Sequence, residues 1–251
     1  MIMKDIANLL ELRVRPKGRT HADEYVHRGE VYIEGRSNSW YSLELVNHSH
    51  GRILAVVSVD GLSVNDGEPA SYESKGFVVN PSQTVVIPGW QQSSQEAARF
   101  VFGNKAESYS ESMGHGTQNA GVIGVAFYQE VISATSAVVP CPIYAPVDRS
   151  LYMKSALIGS AVSNVTQSQP GSLGTGWGEQ VAFNTVATTF NKATLTPAGV
   201  MVLKYDSAQA LQRMGIKLMP RYTTATNQAF PGNNTGYCKP PPVWTQKTTR
   251  S

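Results

Sequence analysis

Alternation of apolar and polar positions is the dominant pattern along this chain. In residues 31–34 and 40–45, every second side chain is apolar, as expected for a strand with one face in a core and one face in water. Residues 52–59 form a β-branched run typical of a central strand, and Asp60-Gly61 follows as a turn signal. The pattern therefore predicts short strands joined by tight turns.

Further segments of the same kind extend this prediction through both halves of the chain. They lie at residues 62–64, 76–79, 84–88, 97–102, 122–128, 181–190 and 199–205. Many short strands separated by Gly, Asn, Asp or Pro are typical of a sandwich or jelly roll. The fold class we predict is mainly β, with an antiparallel β-sandwich or jelly-roll-like core.

Two segments have the helical period instead. Residues 4–12 place Ile6, Leu9 and Leu10 on one face, which predicts a short N-terminal helix outside the core. Residues 208–214 follow Asp206-Ser207, a pair suited to an N-cap, and precede Gly215, which suits the left-handed position after a helix. The sequence therefore predicts both where the second helix begins and where it ends.

The chain divides into four predicted regions. Residues 1–24 are the N-terminal helix and a charged connector, and residues 25–131 are the β-sandwich domain. Residues 132–219 are a second β-rich region that completes or flanks the sandwich, with a loop-like Ser/Gly/Gln stretch at 163–178. Residues 220–251 are rich in Pro and contain no acidic residue, and we expect an extended basic arm that gains order against another molecule.

Composition narrows the class of protein. Hydrophobic residues make up 41% and charged residues 16%, and the charged share is below the ~25% of an average domain. This excludes a coiled coil, a charged disordered chain and a helical bundle. No apolar run approaches the ~18 residues of a membrane span, so no membrane partner is expected. The first residues lack the apolar segment of a secretory signal, which favours synthesis in a reducing compartment.

Charge is distributed unevenly. Residues 1–130 hold 11 Lys and Arg against 15 Asp and Glu, whereas residues 131–251 hold 10 against 3. From Arg213 onward the chain has six basic residues and no acidic one. The basic residues are spaced singly, which favours docking on a protein surface over binding along a nucleic acid, although a merely soluble tail fits them equally well.

Candidate catalytic and metal-binding residues are few. His48 and His50 have a spacing that could chelate a metal, but no third ligand is near them in sequence. His115 lies between glycines, where a surface loop explains it better than a general base. The acidic residues Asp60 and Asp66 each precede a glycine, which indicates a turn first. With Glu68 and Glu73 they could also form a pair of carboxylates or bind Ca²⁺, although their spacing is not that of an EF-hand.

Cys141 and Cys238 form no known motif and are expected to be unreactive thiols. The glycine-rich segment 171–178 lacks the ending of a phosphate-binding loop, and Trp177 within it suits contact with a neighbouring surface. We therefore predict no catalytic residue, no cofactor and no metal, and no enzyme.

Several phrases resemble uncharacterised β-rich proteins of bacterial and tailed-phage genomes. They are VSVDGLSV (57–64), IPGW (87–90), GVIGVAF (121–127), GTGWGE (174–179) and YDS (205–207). The whole chain is similar in texture to tailed-phage virion proteins that decorate or reinforce a capsid. The resemblance covers about a third of the chain and identifies no enzyme family. It implies a role in the virion without assigning any functional residue.

The resulting hypothesis is a non-enzymatic capsid decoration or cement protein located in the virion. We expect its partners to be the major capsid protein or a neighbouring structural protein, with copies of the chain forming a homo-oligomer and with no nucleic-acid partner. The residues expected to make these contacts are Leu9, Leu10, Arg213, Arg221, Trp244 and Lys247.

Two alternatives stay open. One is a carbohydrate-binding or receptor-binding β-sandwich of a tail or cell surface, which would need exposed aromatic residues such as Trp40 and Trp90. The other is a hydrolase that depends on His115 or on a metal at His48 and His50.

Overall fold

The computed structural model describes residues 3–5, 7–131 and 172–219. As far as Leu218 the described residues belong to one compact unit, and of the second unit, Met219–Ser251, only Met219 is described. The compact unit consists of two β-sheets and two short α-helices, which confirms the mainly β fold.

One sheet, here called sheet A, contains seven strands that pair only in antiparallel fashion. They are β1 (Met3–Lys4), β2 (Leu10–Pro16), β5 (Ser39–Asn47), β9 (Thr84–Ile87), β10 (Gly89–Gln91), β11 (Glu96–Asn104) and β13 (Leu173–Ala182). The strand order is β1-β2-β5-β11-β10, with β9 paired to β5 and β13 paired to β11. Sheet A therefore combines the start of the chain with a strand from its second half.

The other sheet, sheet B, also has seven strands. They are β3 (Glu24–His27), β4 (Glu30–Gly35), β6 (Ile53–Val59), β7 (Leu62–Ser63), β8 (Phe77–Val79), β12 (Val122–Gln129) and β14 (Gly199–Ser207). The order is β3-β4-β14-β12-β6-β7, with β8 paired to β6. Strand β14 runs parallel to β4, and every other pair is antiparallel. The antiparallel sandwich we predicted thus contains one parallel pair.

The main apolar cluster draws on both sheets. Leu43 and Phe100 of sheet A belong to the same buried cluster as Val57 and Ile123 of sheet B, and none of the four is exposed. Burial of one side of each strand explains the period of two, since alternate side chains point to opposite faces of a sheet.

The two helices are short. α1 (Tyr109–Ser112) follows a 3-10 turn at Lys105–Glu107, and α2 (Ala208–Arg213) follows β14. The Ser207 hydroxyl accepts a hydrogen bond from the Ala210 N–H at 3.3 Å, and Gly215 has φ of 87°. This confirms the predicted second helix with its cap. Neither helix approaches the length and apolarity needed to cross a membrane.

The predicted N-terminal helix is wrong. The Asp5 carboxylate accepts hydrogen bonds from the N–H groups of Ala7 and Leu10, both at 2.8 Å, and Asn8 has φ of 54°. These features close a turn between β1 and β2, so the segment forms a hairpin of sheet A. The apolar spacing of Leu9 and Leu10 was misleading because Leu10 begins the alternation that continues through Leu12 and Val14. Met3–Lys4 and Leu10–Pro16 are therefore strands of sheet A.

The glycine-rich segment is also different from the prediction. Residues 173–182 form β13 rather than a loop, while the predicted strand at 181–190 leaves the sheet after Ala182. A Cβ atom on Gly178 would lie 2.6 Å from Val101 Cγ2 and 2.9 Å from the Arg99 carbonyl oxygen. Glycine is therefore required for β13 to approach β11 this closely.

Residues 183–193, here called the crossing segment, connect the two sheets. The Phe183 and Thr185 N–H groups donate to the Gln95 and Ser94 carbonyls at 2.7 and 2.8 Å, beside the β10–β11 hairpin of sheet A. Further along, the Ala193 N–H donates to the Gln129 carbonyl at 2.9 Å, at the end of β12 in sheet B. The segment is thus extended and anchored at both ends.

Some predictions lie outside the described residues. These are the basic arm at 220–251, its residues Arg221, Trp244 and Lys247, and both cysteines.

Candidate functional site

Four polar residues form a buried network between the sheets. Asp60 occupies the two-residue turn between β6 and β7, with φ of 51°, and Gly61 follows with φ of 81°. Asp and Gly tolerate these left-handed values, which match the twist of a tight hairpin. The turn places the Asp60 side chain in the protein interior, where the residue is only 1% exposed.

The Asp60 carboxylate is surrounded by hydrogen-bond donors. Its Oδ1 accepts from the Gly121 N–H at 2.9 Å and from the Tyr205 hydroxyl at 2.6 Å, while Oδ2 accepts from the Thr175 N–H at 2.6 Å. The Thr175 hydroxyl lies 2.6 Å from the Tyr205 hydroxyl and 2.7 Å from the Tyr41 hydroxyl. The network therefore continues from the carboxylate to Tyr41.

When Asp60 is ionised, the direction of each hydrogen bond in this network is fixed. Each hydroxyl has one proton, and Tyr205 uses its proton on Asp60. Thr175 must then donate to Tyr205, and Tyr41 must donate to Thr175. The Tyr205 and Thr175 hydroxyls therefore each donate one hydrogen bond and accept one, whereas the Tyr41 hydroxyl only donates.

Burial changes the acidity of these groups. Burial raises the pKa of Asp60 to about 6, although the hydrogen bonds from Tyr205, Thr175 and Gly121 favour the charged form and oppose the rise. The pKa values of Tyr41 and Tyr205 are raised well above the ordinary value by burial, and the Asp60 charge adds to the effect. Both tyrosines are therefore neutral donors.

The arrangement joins the two layers of the sandwich. Tyr41 and Thr175 belong to sheet A, whereas Asp60 and Tyr205 belong to sheet B. A fully partnered buried network of this kind fixes the alignment of the layers, because any shift would leave polar groups unpaired. The sequence prediction treated Asp60 first as a turn residue and did not predict its buried network. The available signal was the placement of Tyr41 and Tyr205 at inward positions of strands.

A second buried carboxylate lies on the outer side of sheet A. The Glu11 side chain is 2% exposed, and it accepts hydrogen bonds from Arg13 and, at 2.6 Å, from His48 Nε2. Lys4 Nζ lies 3.9 Å from Glu11 Oε2. Burial raises the pKa of Glu11, but the hydrogen bonds and charges of Arg13 and His48 outweigh burial and lower the pKa overall.

This contact changes the interpretation of the two histidines. His48 directs its imidazole to Glu11, and His50 is exposed. Within the described ranges, no group of three or more His, Cys, Asp or Glu is arranged to hold a metal ion. His115 is half-buried in the loop after α1.

The predicted contact residues have different surroundings. Leu10 is 0% exposed in the core, so it is not available to a partner and that assignment is wrong, because it rested on the helix. Leu9 is half-buried against the core, while Arg213 is exposed at the end of α2.

The aromatic residues proposed for sugar stacking are not an exposed platform. Trp90 is buried, with its ring 4.7 Å from that of Tyr109. Tyr109 in turn contacts Trp177, which is about half exposed. The Arg99 guanidinium lies over the Trp40 ring at 4.4 Å. The described structure therefore does not combine Trp40 and Trp90 in one binding surface.

The outer faces of the sheets differ in chemistry. On sheet A, Arg15 Nη1 lies 3.3 Å from Glu44, and Arg99 Nε lies 2.6 Å from Glu179. On sheet B, Val200 and Val202 of β14 share the outer face with Val56 and Ala126, since Val200 pairs with Ala126 and Ala126 pairs with Val56. Val200 is 50% and Val202 46% exposed.

Comparisons with protein-family models, curated proteins and solved structures found no match to this chain.

Proposed function

We propose that this chain is a non-enzymatic virion structural protein that decorates a capsid and stabilises it through contacts between subunits. Its partners would be the major capsid protein or a neighbouring structural protein, and it would act as a homo-oligomer. The sequence resemblance supplies the class of particle. One structural asymmetry supports the mode of attachment.

That asymmetry is the contrast between the outer faces of the two sheets. Val200 and Val202 lie on β14, which has β4 and β12 as neighbours, so the apolar pair is held in the interior of sheet B. The outer face of sheet A carries the ion pairs Arg15–Glu44 and Arg99–Glu179, whereas on sheet B the ion pair Lys204–Glu30 lies beside the two valines. A decoration protein needs one side that loses water against the shell and one that stays hydrated, and apolar surface favours the first role.

The last part of the compact unit, before the basic C-terminal segment, packs beside the same apolar face. Leu211 of α2 and Ile216 pack on Tyr32, whose register partner in β14 is Lys204. Lys204 and Val202 are two residues apart and therefore point to the same side of the sheet. A basic arm that follows the compact unit would add contacts to the shell, and small contacts summed over many symmetry copies stabilise a particle.

The test uses particles made by the genome that encodes the chain. A Val200→Lys/Val202→Lys variant should fold, because both side chains are half exposed, and its copy number on purified particles should fall at least tenfold by quantitative mass spectrometry. Val86→Lys is the matched control: Val86 is 43% exposed and pairs with Glu44 on the outer face of sheet A. This control should be retained at the wild-type copy number.

A variant that lacks residues 222–251 provides a second test in the same experiment. The body should remain folded, and association with particles should weaken. Absence of the chain from purified particles, or equal retention of the double variant and wild type, would reject the proposal.

A further inference from the structure

A groove lies beside the crossing segment and has a volume of about 690 Å³. This is within the range of about 300–1,000 Å³ that is usual for small-molecule sites. Its lining draws on β8, β9, the β10–β11 hairpin and residues 183–190. Because the crossing segment is hydrogen-bonded at both ends, one wall of the groove is held in place.

Side-chain amides and hydroxyls connect this wall to the body. Asn65 Nδ2 donates to Gln91 Oε1 at 2.8 Å, and Gln91 Nε2 donates to the Thr185 hydroxyl at 2.9 Å. Asn65 Oδ1 is enclosed and accepts no hydrogen bond in the described structure. The two hydrogen bonds hold Gln91 and Thr185, which both line the groove, in fixed positions.

The remaining lining combines neutral polar groups with aromatic surface. Phe183 and Phe190 are half-buried in the lining, and Phe77, 5.8 Å from Phe183 between ring centres, is buried in the core. Gln83, Asn184 and Thr188 are exposed in the lining, and Lys75 is its one charged side chain. Amides and hydroxyls suit the many hydroxyl groups of a sugar, and aromatic rings suit its apolar faces.

We infer that this groove binds a saccharide, either neutral or carrying a single carboxylate near Lys75. Ligand hydroxyls would bond to Gln91 and Asn184, both of which line the groove. The lining includes neither Val200 nor Val202, and the site does not depend on the role proposed in the virion.

The experiment uses the full chain on an array of neutral and uronic-acid oligosaccharides, followed by NMR titration with each saccharide that binds. Binding should shift the side-chain amide signals of Asn65 and Gln91. Gln91→Ala should weaken binding about tenfold, which corresponds to about 1.4 kcal/mol. Asn184→Ala changes an exposed residue, so it should fold normally and still weaken binding at least threefold.

Gln212→Ala is the matched control, because Gln212 is exposed on α2 and is not part of the groove lining. It should bind as tightly as the wild type. The inference is overturned if no saccharide on the array binds with a Kd below about 10 mM, or if both groove variants bind normally. The Val200→Lys/Val202→Lys variant should retain saccharide binding, so the two proposals fail independently.

Discussion

Asp60 and Glu11 are both buried carboxylates, but they are stabilised in different ways. Asp60 lies between the sheets and accepts hydrogen bonds from two backbone N–H groups and a tyrosine hydroxyl, all of them neutral. Glu11 lies on the outer side of sheet A and contacts the cationic Arg13 and the imidazole of His48. Burial raises the pKa of Asp60, whereas the pKa of Glu11 is lowered.

The difference shows that the partners, and not burial alone, decide the acidity of a buried acid. Neutral donors orient the carboxylate but only partly replace the water that it loses. Positively charged partners can compensate fully for the hydration that a buried carboxylate loses. The inner site therefore suits a precise structural link, and the outer site suits an ion pair that keeps its charge over a wide pH range.

The largest effect is expected for Asp60→Ala. The change leaves the Gly121 N–H, the Thr175 N–H and the Tyr205 hydroxyl without their acceptor in the interior. We expect the free energy of unfolding at pH 5 to fall by about 3–5 kcal/mol. Denaturant unfolding followed by circular dichroism would measure it.

Asp60 has positive φ, so alanine at this position also loses stability through backbone strain. A control variant is needed to measure that part of the loss. Asn38→Ala provides it, because Asn38 has φ of 60° and an exposed side chain. Its loss should be about 1–2 kcal/mol, the cost of a left-handed alanine. If both variants lose the same amount, the network contributes nothing beyond the turn.

The pH dependence of stability should differ in sign between the two sites. The folded pKa of Asp60 lies above its unfolded value, so the folded state binds more protons between about pH 4 and 6. Stability from this group therefore falls as pH rises through that window, by up to about 3 kcal/mol, and is constant above it. The difference in unfolding free energy between wild type and Asp60→Ala should therefore become smaller as pH rises from about 4 to 6. A gap that widens with pH would contradict the raised pKa.

Glu11→Gln is expected to have the smallest effect. It keeps the shape of the side chain and removes the charge that faces Arg13 and His48, both of which remain partly hydrated. We expect a loss of about 1–2 kcal/mol at pH 7. Because the folded pKa is lowered, the loss should disappear as pH falls through that pKa. Glu96→Gln, at an exposed position of β11, should change stability little, and equal effects at both positions would contradict the comparison.

Most strands could be predicted because alternation follows directly from burial of one sheet face. The second helix was also predictable, since its cap is local in sequence. The first helix was wrong because Asp5 and Asn8 form a turn that competes with helical spacing. Strand β13 was missed because its glycines indicate a loop when the close approach of β11 is unknown.

The candidate sites were less predictable for a different reason. Tyr41, Asp60, Thr175 and Tyr205 are far apart in sequence, and only the register of the strands brings them together. The same holds for Glu11 and His48, which are 37 residues apart. No local pattern specifies such contacts.

Strand β14 has a consequence for how the protein is made. It lies between β4 and β12, although it is the last strand of the described chain. During translation, β4 and β12 emerge from the ribosome well before Gly199, and their facing edges have no partner until then. Unpaired strand edges promote aggregation. Nascent chains of this protein should therefore be most dependent on chaperones in the interval before β14 is synthesised.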